Sequence, residues 1–445
     1  MDPITLIQRL FRVSFAGREA LQKAVTNSAW LLADKMVRMV VGLVISTWMA
    51  RYLGPEQFGI FNYAISIVLI FSTLASLGID SIIVRDIVRD PDKTPEILGT
   101  AFVLRLAGAA CSLFLAIGAI LLIRPADSLT HWLVGITAAG MIAQAFDAID
   151  FWFQAELQSK YPILAKNIAF LAISIVKIAL ILSGAPLIAF AWAGFAELLL
   201  GACGLVLAYR LRGKHITDWR KSSSRAISLL RNGWPLVLSG FTIYLQARFD
   251  QVMLREMVGA GELGQFSAAL VLIEFFGFIP MIVQGSASPA VTLAKTQDET
   301  MYLTRMLNIY RLMSMLFIAV AIPIAAYGKV FVRIMYGSEY QQAGSLLGLF
   351  ALRLFFANFG VAKSMYILNE NLFRYSLLTA AIGTAVNIAL NLFFIPRYGA
   401  VGAVWSMIIS FSVTVFAIDI FVPRMRNNLR LMVYAVCTPW RFKLS

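Results

Sequence analysis

The sequence predicts an all-α polytopic membrane protein of about twelve transmembrane helices in two pseudo-symmetric six-helix lobes, with cytoplasmic termini. Three observations predict it. First, 60% of the 445 residues are apolar, only 14% are charged and mean hydropathy is +0.77. A soluble core cannot take up that much apolar surface, so lipid is the solvent. Second, the apolar residues fall in about twelve runs of roughly 18 to 23, each long enough to cross about 30 Å of hydrocarbon as a helix. Third, a pattern recurs about 205 residues apart. It reads Gly54-Pro55-Glu56-Gln57-Phe58-Gly59-Ile60-Phe61-Asn62-Tyr63-Ala64 and Gly259-Ala260-Gly261-Glu262-Leu263-Gly264-Gln265-Phe266-Ser267-Ala268-Ala269. Each copy lies between two apolar runs, as the turn of a membrane hairpin would, and its value is topological.

Residues 1–28 place Ile4, Ile7, Leu10, Phe11 and Phe15 at helical spacing beside Arg9, Arg12 and Arg18, which predicts an interfacial helix on the cytoplasmic surface. They lack a continuous apolar run with a small-residue cleavage site, so no cleavable signal peptide is expected. The N-lobe, residues 29–208, holds predicted spans at 29–50, 60–77, 100–123, 132–153, 163–182 and 187–208. Residues 209–233 form a basic cytoplasmic linker. The C-lobe, residues 234–422, holds predicted spans at 234–254, 264–284, 306–327, 346–369, 375–395 and 400–422. Residues 423–445 are a basic cytoplasmic tail whose apolar run, 431–437, is too short to cross.

Lysines and arginines set the orientation. About 23 fall on the side of the termini and the linker, against roughly six opposite: Arg51, Arg124, Arg255, Lys329, Arg333 and Arg397. This asymmetry accounts for much of the +14 net charge, so nucleic acid need not be invoked as a partner. Cys111, Cys203 and Cys437 imply no disulfide framework. His131 and His215, the only histidines, have no ligand-like neighbours, so neither a metal, a cofactor nor an enzymatic site is expected.

Function is sought in charges inside the spans, since one facing hydrocarbon costs at least about 2.5 kcal/mol. Lys35, Arg38, Arg105, Arg248, Arg311, Arg353 and Lys363 are candidates for a cationic cavity. Asp34, Asp147, Asp150, Glu197, Asp250 and Glu274 are candidates for ion coupling, because a carboxylate in low dielectric can titrate near neutrality; balancing the basic residues is the competing reading. Asp34 lies one turn before Arg38 and is placed to pair with it. Lys166, Arg105 and Asp419, near span ends, are read as snorkelling to headgroups. Gly383, Asn387 and Asn391 form a small, polar stripe suited to helix packing. Pro280 and Pro323 mark places where helices can bend.

Met49-Ala50-Arg51-Tyr52-Leu53-Gly54-Pro55-Glu56-Gln57-Phe58-Gly59, Leu77-Gly78-Ile79-Asp80 with Arg85, Arg248-Phe249-Asp250-Gln251 and the segment 387–403 together resemble the signature of the polysaccharide-biosynthesis flippases. The resemblance covers residues 29–422. It implies an O-antigen (Wzx-type) flippase of the multidrug/oligosaccharidyl-lipid/polysaccharide exporter superfamily, moving undecaprenyl-diphosphate-linked oligosaccharide from the cytoplasmic to the periplasmic leaflet of a bacterial inner membrane by alternating access. It implies no enzymatic activity, and partners among membrane lipids, a polysaccharide polymerase and a chain-length regulator. A proton- or sodium-coupled drug or cation antiporter of the same superfamily is the alternative. A lipid II flippase would carry two further spans.

Overall fold

The computed structural model describes residues 15–442; Ile4, Ile7, Leu10 and Phe11 of the predicted interfacial helix, and Lys443, lie outside them. Among the described residues all regular structure is helical. In chain order the helices are α1 (Phe15–Ser76), α2 (Asp80–Arg89), α3 (Thr94–Ile123), α4 (Ser128–Ala143), α5 (Asp147–Ala155), α6 (Lys160–Leu182) and α7 (Leu187–Arg210). They continue as α8 (Ser223–Met257), α9 (Ala260–Gln297), α10 (Glu299–Tyr336), α11 (Gln341–Asn369), α12 (Phe373–Ser412), α13 (Ile418–Phe421) and α14 (Pro423–Cys437). A 3-10 turn, Gln144–Phe146, joins α4 to α5, and a π-helical turn, Val413–Ala417, joins α12 to α13.

Nine helical stretches among the described residues are long and apolar enough to cross a membrane. Two of them, within α1 and α12, turn at a glycine with positive φ, Gly54 (69°) and Gly399 (57°), where the following helix starts afresh. Each turn falls between two runs that the sequence reading separates. The seventh predicted run lies in α8, which is not among the nine: Gln246, Arg248, Asp250 and Gln251 lower its hydropathy, and Asp250 and Gln251 are buried against protein. The helices also outrun the predicted spans. α9 and α10 each have 38 residues, about 57 Å at the helical rise, because hydropathy reads only their apolar middles.

The chain forms two compact units. Unit 1 comprises the described residues up to Gly42, then Ser72–Ala119 and Gly135–Val237. Its main core gathers Ile82, Ile83 and Ile87 of α2, Ile97 and Leu98 of α3, Phe151 to Phe153 of α5 and Leu205 and Tyr209 of α7. α2 falls in the connection between the second and third predicted spans; its buried Ile82, Ile83 and Ile87 make it a packed helix. The basic linker is ordered in this unit. Arg220 N–H donates to the Pro95 carbonyl at 3.1 Å, Ser222 N–H to Thr100 Oγ1 at 3.1 Å, and the Trp219 ring packs edge-on against Phe102. A Cβ on Gly99 would lie 2.4 Å from the Arg220 carbonyl oxygen, so glycine is what permits the approach.

Unit 2 comprises Leu43–Phe71, Ile120–Val134 and the chain from Leu238. Its core is built on α10, α11 and α14 through Tyr302, Met306, Tyr310, Phe359, Met425 and Met432. The tail is therefore partly a docked helix: Met425, Asn428, Met432 and Ala435 form the buried stripe of α14. The two copies of the repeated pattern meet in this unit. A Cβ on Gly59 would lie 2.0 Å from Ala260 O, and one on Gly264 would lie 1.8 Å from Pro55 O. Backbone touches backbone at both places, as small residues allow where lipid supplies no hydrophobic drive.

Candidate substrate and coupling sites

In unit 1, the 3-10 turn sets α5 so that Asp147 and Asp150 both reach Lys166 of α6. Lys166 Nζ lies 2.8 Å from Asp147 Oδ1 and 2.6 Å from Asp150 Oδ2, and Gln154 Nε2 donates to Asp150 at 3.2 Å. Arg105 of α3 is 5% exposed and pairs with Asp80 and, at 3.6 Å, with Asp147. It also reaches the Gln144 carbonyl at 3.3 Å, and its guanidinium lies over the Phe151 ring. Arg105 and Lys166, expected to snorkel, instead pair with carboxylates inside the unit. Asp80 is the residue sequence reasoning missed. It stands in the quoted Leu77-Gly78-Ile79-Asp80 segment, but nothing local links it to an arginine 25 positions away.

Arg38 Nε donates to Asp34 at 2.9 Å, the intrahelical pair that the spacing predicts, and its guanidinium lies 5.1 Å above the Phe170 ring. Its Nη2 is buried with no acceptor among the described residues. Lys35 is exposed and has no ion-pair partner among them. Lys177 pairs with Glu197 at 3.0 Å. Arg38, Gln144, Asp147, Lys166 and Glu197 line a cavity of about 140 Å³. Charges of both signs face it.

In unit 2 a second cluster forms around α8. Arg248 Nη2 lies 3.6 Å from Glu274 of α9. Asp250 is fully buried and accepts from Asn391 Nδ2, which also donates to Asn387 Oδ1 at 3.3 Å. Asn387 and Asn391 thus serve a carboxylate as well as helix packing, while Gly383 is pure packing: a Cβ there would lie 2.3 Å from Thr414 Cγ2. Arg353 of α11 lies 5.1 Å over the Phe411 ring and feels the charges of Glu274, Asp250 and Arg248. Arg248 Nε, Arg353 Nε and Asp250 Oδ2 are all buried without a bonded partner among the described residues. Such groups cost free energy unless a ligand satisfies them, which marks a candidate site.

Of the other predicted cations, Lys363 has surroundings that consume it, whereas Arg311 meets only neutral acceptors and keeps a buried Nε without a bonded partner among the described residues. Lys363 Nζ donates to Asp419 Oδ1 at 2.5 Å, to the Thr414 and Val415 carbonyls at 3.0 Å each, and approaches Tyr375 Oη at 3.1 Å. The π-helical turn supplies those two carbonyls, since widening the helix frees them from the regular ladder. An ammonium has three protons, so little is left for a substrate. Asp419, expected to snorkel, is 0% exposed because Lys363 and the Tyr375 hydroxyl hold it inside. Arg311 is buried between α10 and the C-terminal segment, donating to Asn308 Oδ1 at 3.3 Å and Thr438 Oγ1 at 3.1 Å, with its guanidinium over Tyr434.

This fold is that of membrane transporters. It is similar over 92% of this chain and 98% of the other to an inward-facing multidrug resistance MATE family transporter of the MOP superfamily, with a TM-score of 0.73 and 16% identity. It is also similar to the lipid II flippase MurJ in its inward closed conformation, at a TM-score of 0.69 and 15% identity over 94% of this chain and 92% of that one. By sequence, residues 24–294 match the polysaccharide biosynthesis protein family, and the chain belongs to that family. A Shigella flexneri relative named "Putative O-antigen transporter" is 23% identical over 408 residues, covering 86% of this chain and 94% of the relative.

Proposed function

We propose that the protein is a flippase that moves undecaprenyl-diphosphate-linked oligosaccharide, an O-antigen or related repeat unit, from the cytoplasmic to the periplasmic leaflet of a bacterial inner membrane. Twelve crossings, cytoplasmic termini and two lobes divided at the basic linker belong to the same reading, as do alternating access, a polymerase and chain-length regulator as partners, and the lack of catalysis. The observation that carries it is intramembrane positive charge left unspent. Among the described residues, Lys35 and Arg353 have no carboxylate within ion-pair distance, and Arg38 and Arg248 keep a buried guanidinium nitrogen unbonded. A diphosphate leaving the headgroup layer needs such donors, because charge-assisted hydrogen bonds offset its desolvation.

In this reading Lys35 and Arg38 in unit 1, and separately Arg248 and Arg353 in unit 2, are the donors available to a diphosphate. Lys363 holds its unit together instead, Arg311 is a further buried cation without a carboxylate partner among the described residues, and Arg105 and Lys166 belong to an ion network. Asp147, Asp150, Asp250 and Glu274 are the groups whose protonation or cation binding would reset the carrier. A second reading, a proton- or sodium-coupled drug or cation antiporter, is favoured by the unit 1 network, where Asp80, Asp147 and Asp150 outnumber Arg105 and Lys166.

The test is leaflet transfer of labelled undecaprenyl-diphosphate oligosaccharide in vesicles containing the purified protein. The wild type should transfer it. Arg38→Ala should lower the rate at least about tenfold, the worth of one charge-assisted contact, with unfolding unchanged. Transfer retained in Arg38→Ala would remove that residue from the site. No transfer, with proton-driven efflux of cationic dyes, would favour the antiporter.

A further inference from the structure

The end of unit 2 where α10 meets α11 holds a cavity that the transport reading leaves unused. The two helices cross closely there, since a Cβ on Gly344 would lie 2.9 Å from Lys329 Cα. Beside the crossing is a space of about 580 Å³ lined by Lys329, Arg333, Ser338, Gln341, Gln342 and Ser345, within the range of about 300–1,000 Å³ usual for small-ligand sites. Lys329 and Arg333 are one turn apart on α10 and so share a face. Among the described residues neither side chain forms an ion pair or a hydrogen bond. Arg51 stands at the same end, its Nε 3.8 Å from where a Gly337 Cβ would be, and is likewise unpaired among them. Glu339, the acid of this turn, faces elsewhere: its Oε2 lies 3.2 Å from the Cβ position of Gly54. Two of the roughly six basic residues assigned by sequence to the non-cytoplasmic side therefore line one polar cavity, with a third, Arg51, beside its Gly337.

Lipid contact alone accounts for a lysine and an arginine near a helix end. It does not account for the Ser338 and Ser345 hydroxyls and the Gln341 carboxamide beside them; Gln342 Nε2 already donates to Glu262 at 3.0 Å. The same stretch of α10 exposes Tyr327, Val330, Phe331 and Ile334 on a face about a third of a turn round from Lys329 and Arg333. A ligand with an anionic, hydroxyl-bearing head and a hydrocarbon tail fits both parts. We propose that this cavity binds the headgroup of an anionic glycerophospholipid. Lys329 and Arg333 take the phosphate, the Ser338, Gln341 and Ser345 side chains meet the glycerol hydroxyls, and an acyl chain lies along the neighbouring apolar face of α10. The inference concerns lipid binding and stands whether or not the protein flips a glycan.

Native mass spectrometry of the full-length protein, released from detergent containing phosphatidylglycerol or phosphatidylcholine, tests it. One phosphatidylglycerol should be retained in preference to phosphatidylcholine. Lys329→Gln with Arg333→Gln should cut retention about tenfold, whereas Arg426→Gln with Arg430→Gln, equal in charge removed, should not. Gln341→Ala with Ser345→Ala, which keeps both cations, should also weaken it and serves if the first double variant does not fold. Equal retention of the two lipids, or full retention by both cavity variants, would overturn the proposal. Displacement by soluble glycerol 1-phosphate at concentrations comparable to the lipid would overturn the lipid assignment in favour of a soluble anion.

Discussion

At the scale of single residues, a charge in this protein is defined by what reaches it from other helices. Lys363 meets Asp419 from 56 positions away, too far for any sequence window to pair them, so a mid-helix lysine reads as a substrate ligand until the fold supplies its anion. Lys363→Met should destabilise the protein by about 3–5 kcal/mol, because it strands the Asp419 carboxylate in a dry interior. Lys363→Met with Asp419→Asn should recover part of that loss; chemical unfolding in detergent reads both, and a neutral single variant would remove the pair from the structural account. Asp127 shows the reverse case, a carboxylate held mainly by neighbours three positions away. Partial burial alone would raise its carboxyl, but the Thr130 hydroxyl and N–H, then Arg124 and Arg255, hold it below the usual carboxylate range. A depressed folded-state value contributes stability above the unfolded value of about 3.9 that is lost as pH falls through the folded one. Unfolding followed below about pH 4 should therefore show a loss that Asp127→Asn flattens.

At the scale of elements, glycine spacing carried more than turn chemistry. The repeated pattern was legible as a duplication, and Gly54 and Gly259 do sit at chain reversals with φ of 69° and 126°. Gly59 and Gly264, five residues on in each copy, are instead contact glycines at a crossing of two helix starts. Pairing across that crossing continues in the second copy. Glu262 accepts from Ala400 N–H at 3.0 Å just after the Gly399 turn, and Gln265 accepts from Ala343 N–H at 3.0 Å while donating to the Glu339 carbonyl at 2.7 Å. Gly264→Ala should cost about 1–3 kcal/mol, as overpacking does, and more than Gly261→Ala, whose Cβ would meet nothing within 4 Å. Thermal unfolding of the two variants makes the comparison; equal melting would show that the crossing gives way freely.

At the scale of the whole molecule, the arrangement in the membrane rests on where the basic residues fall, and cysteine accessibility checks it. Cys437 at the end of α14 is exposed. With cytoplasmic termini, a membrane-impermeant maleimide should label it in inverted vesicles and not in intact spheroplasts. Labelling from the outside would reverse the orientation and place Lys329 and Arg333 in the cytoplasm. Multi-pass insertion itself follows from the nine apolar helical stretches among the described residues and the transporter fold.

Hydropathy, a period of helix-length apolar runs and a duplicated glycine pattern were local properties of the chain, and with the quoted family segments they determined an all-helical membrane protein of the polysaccharide-biosynthesis kind. Which charges remain free was decided only in three dimensions. Asp80 and Arg105, Asp250 and Asn391, and Lys363 with the π-turn carbonyls are pairs made by helices far apart in sequence. Since low dielectric makes every unpaired intramembrane charge costly, the tertiary partners and not the residue types separate a structural cation from one still able to receive an anion.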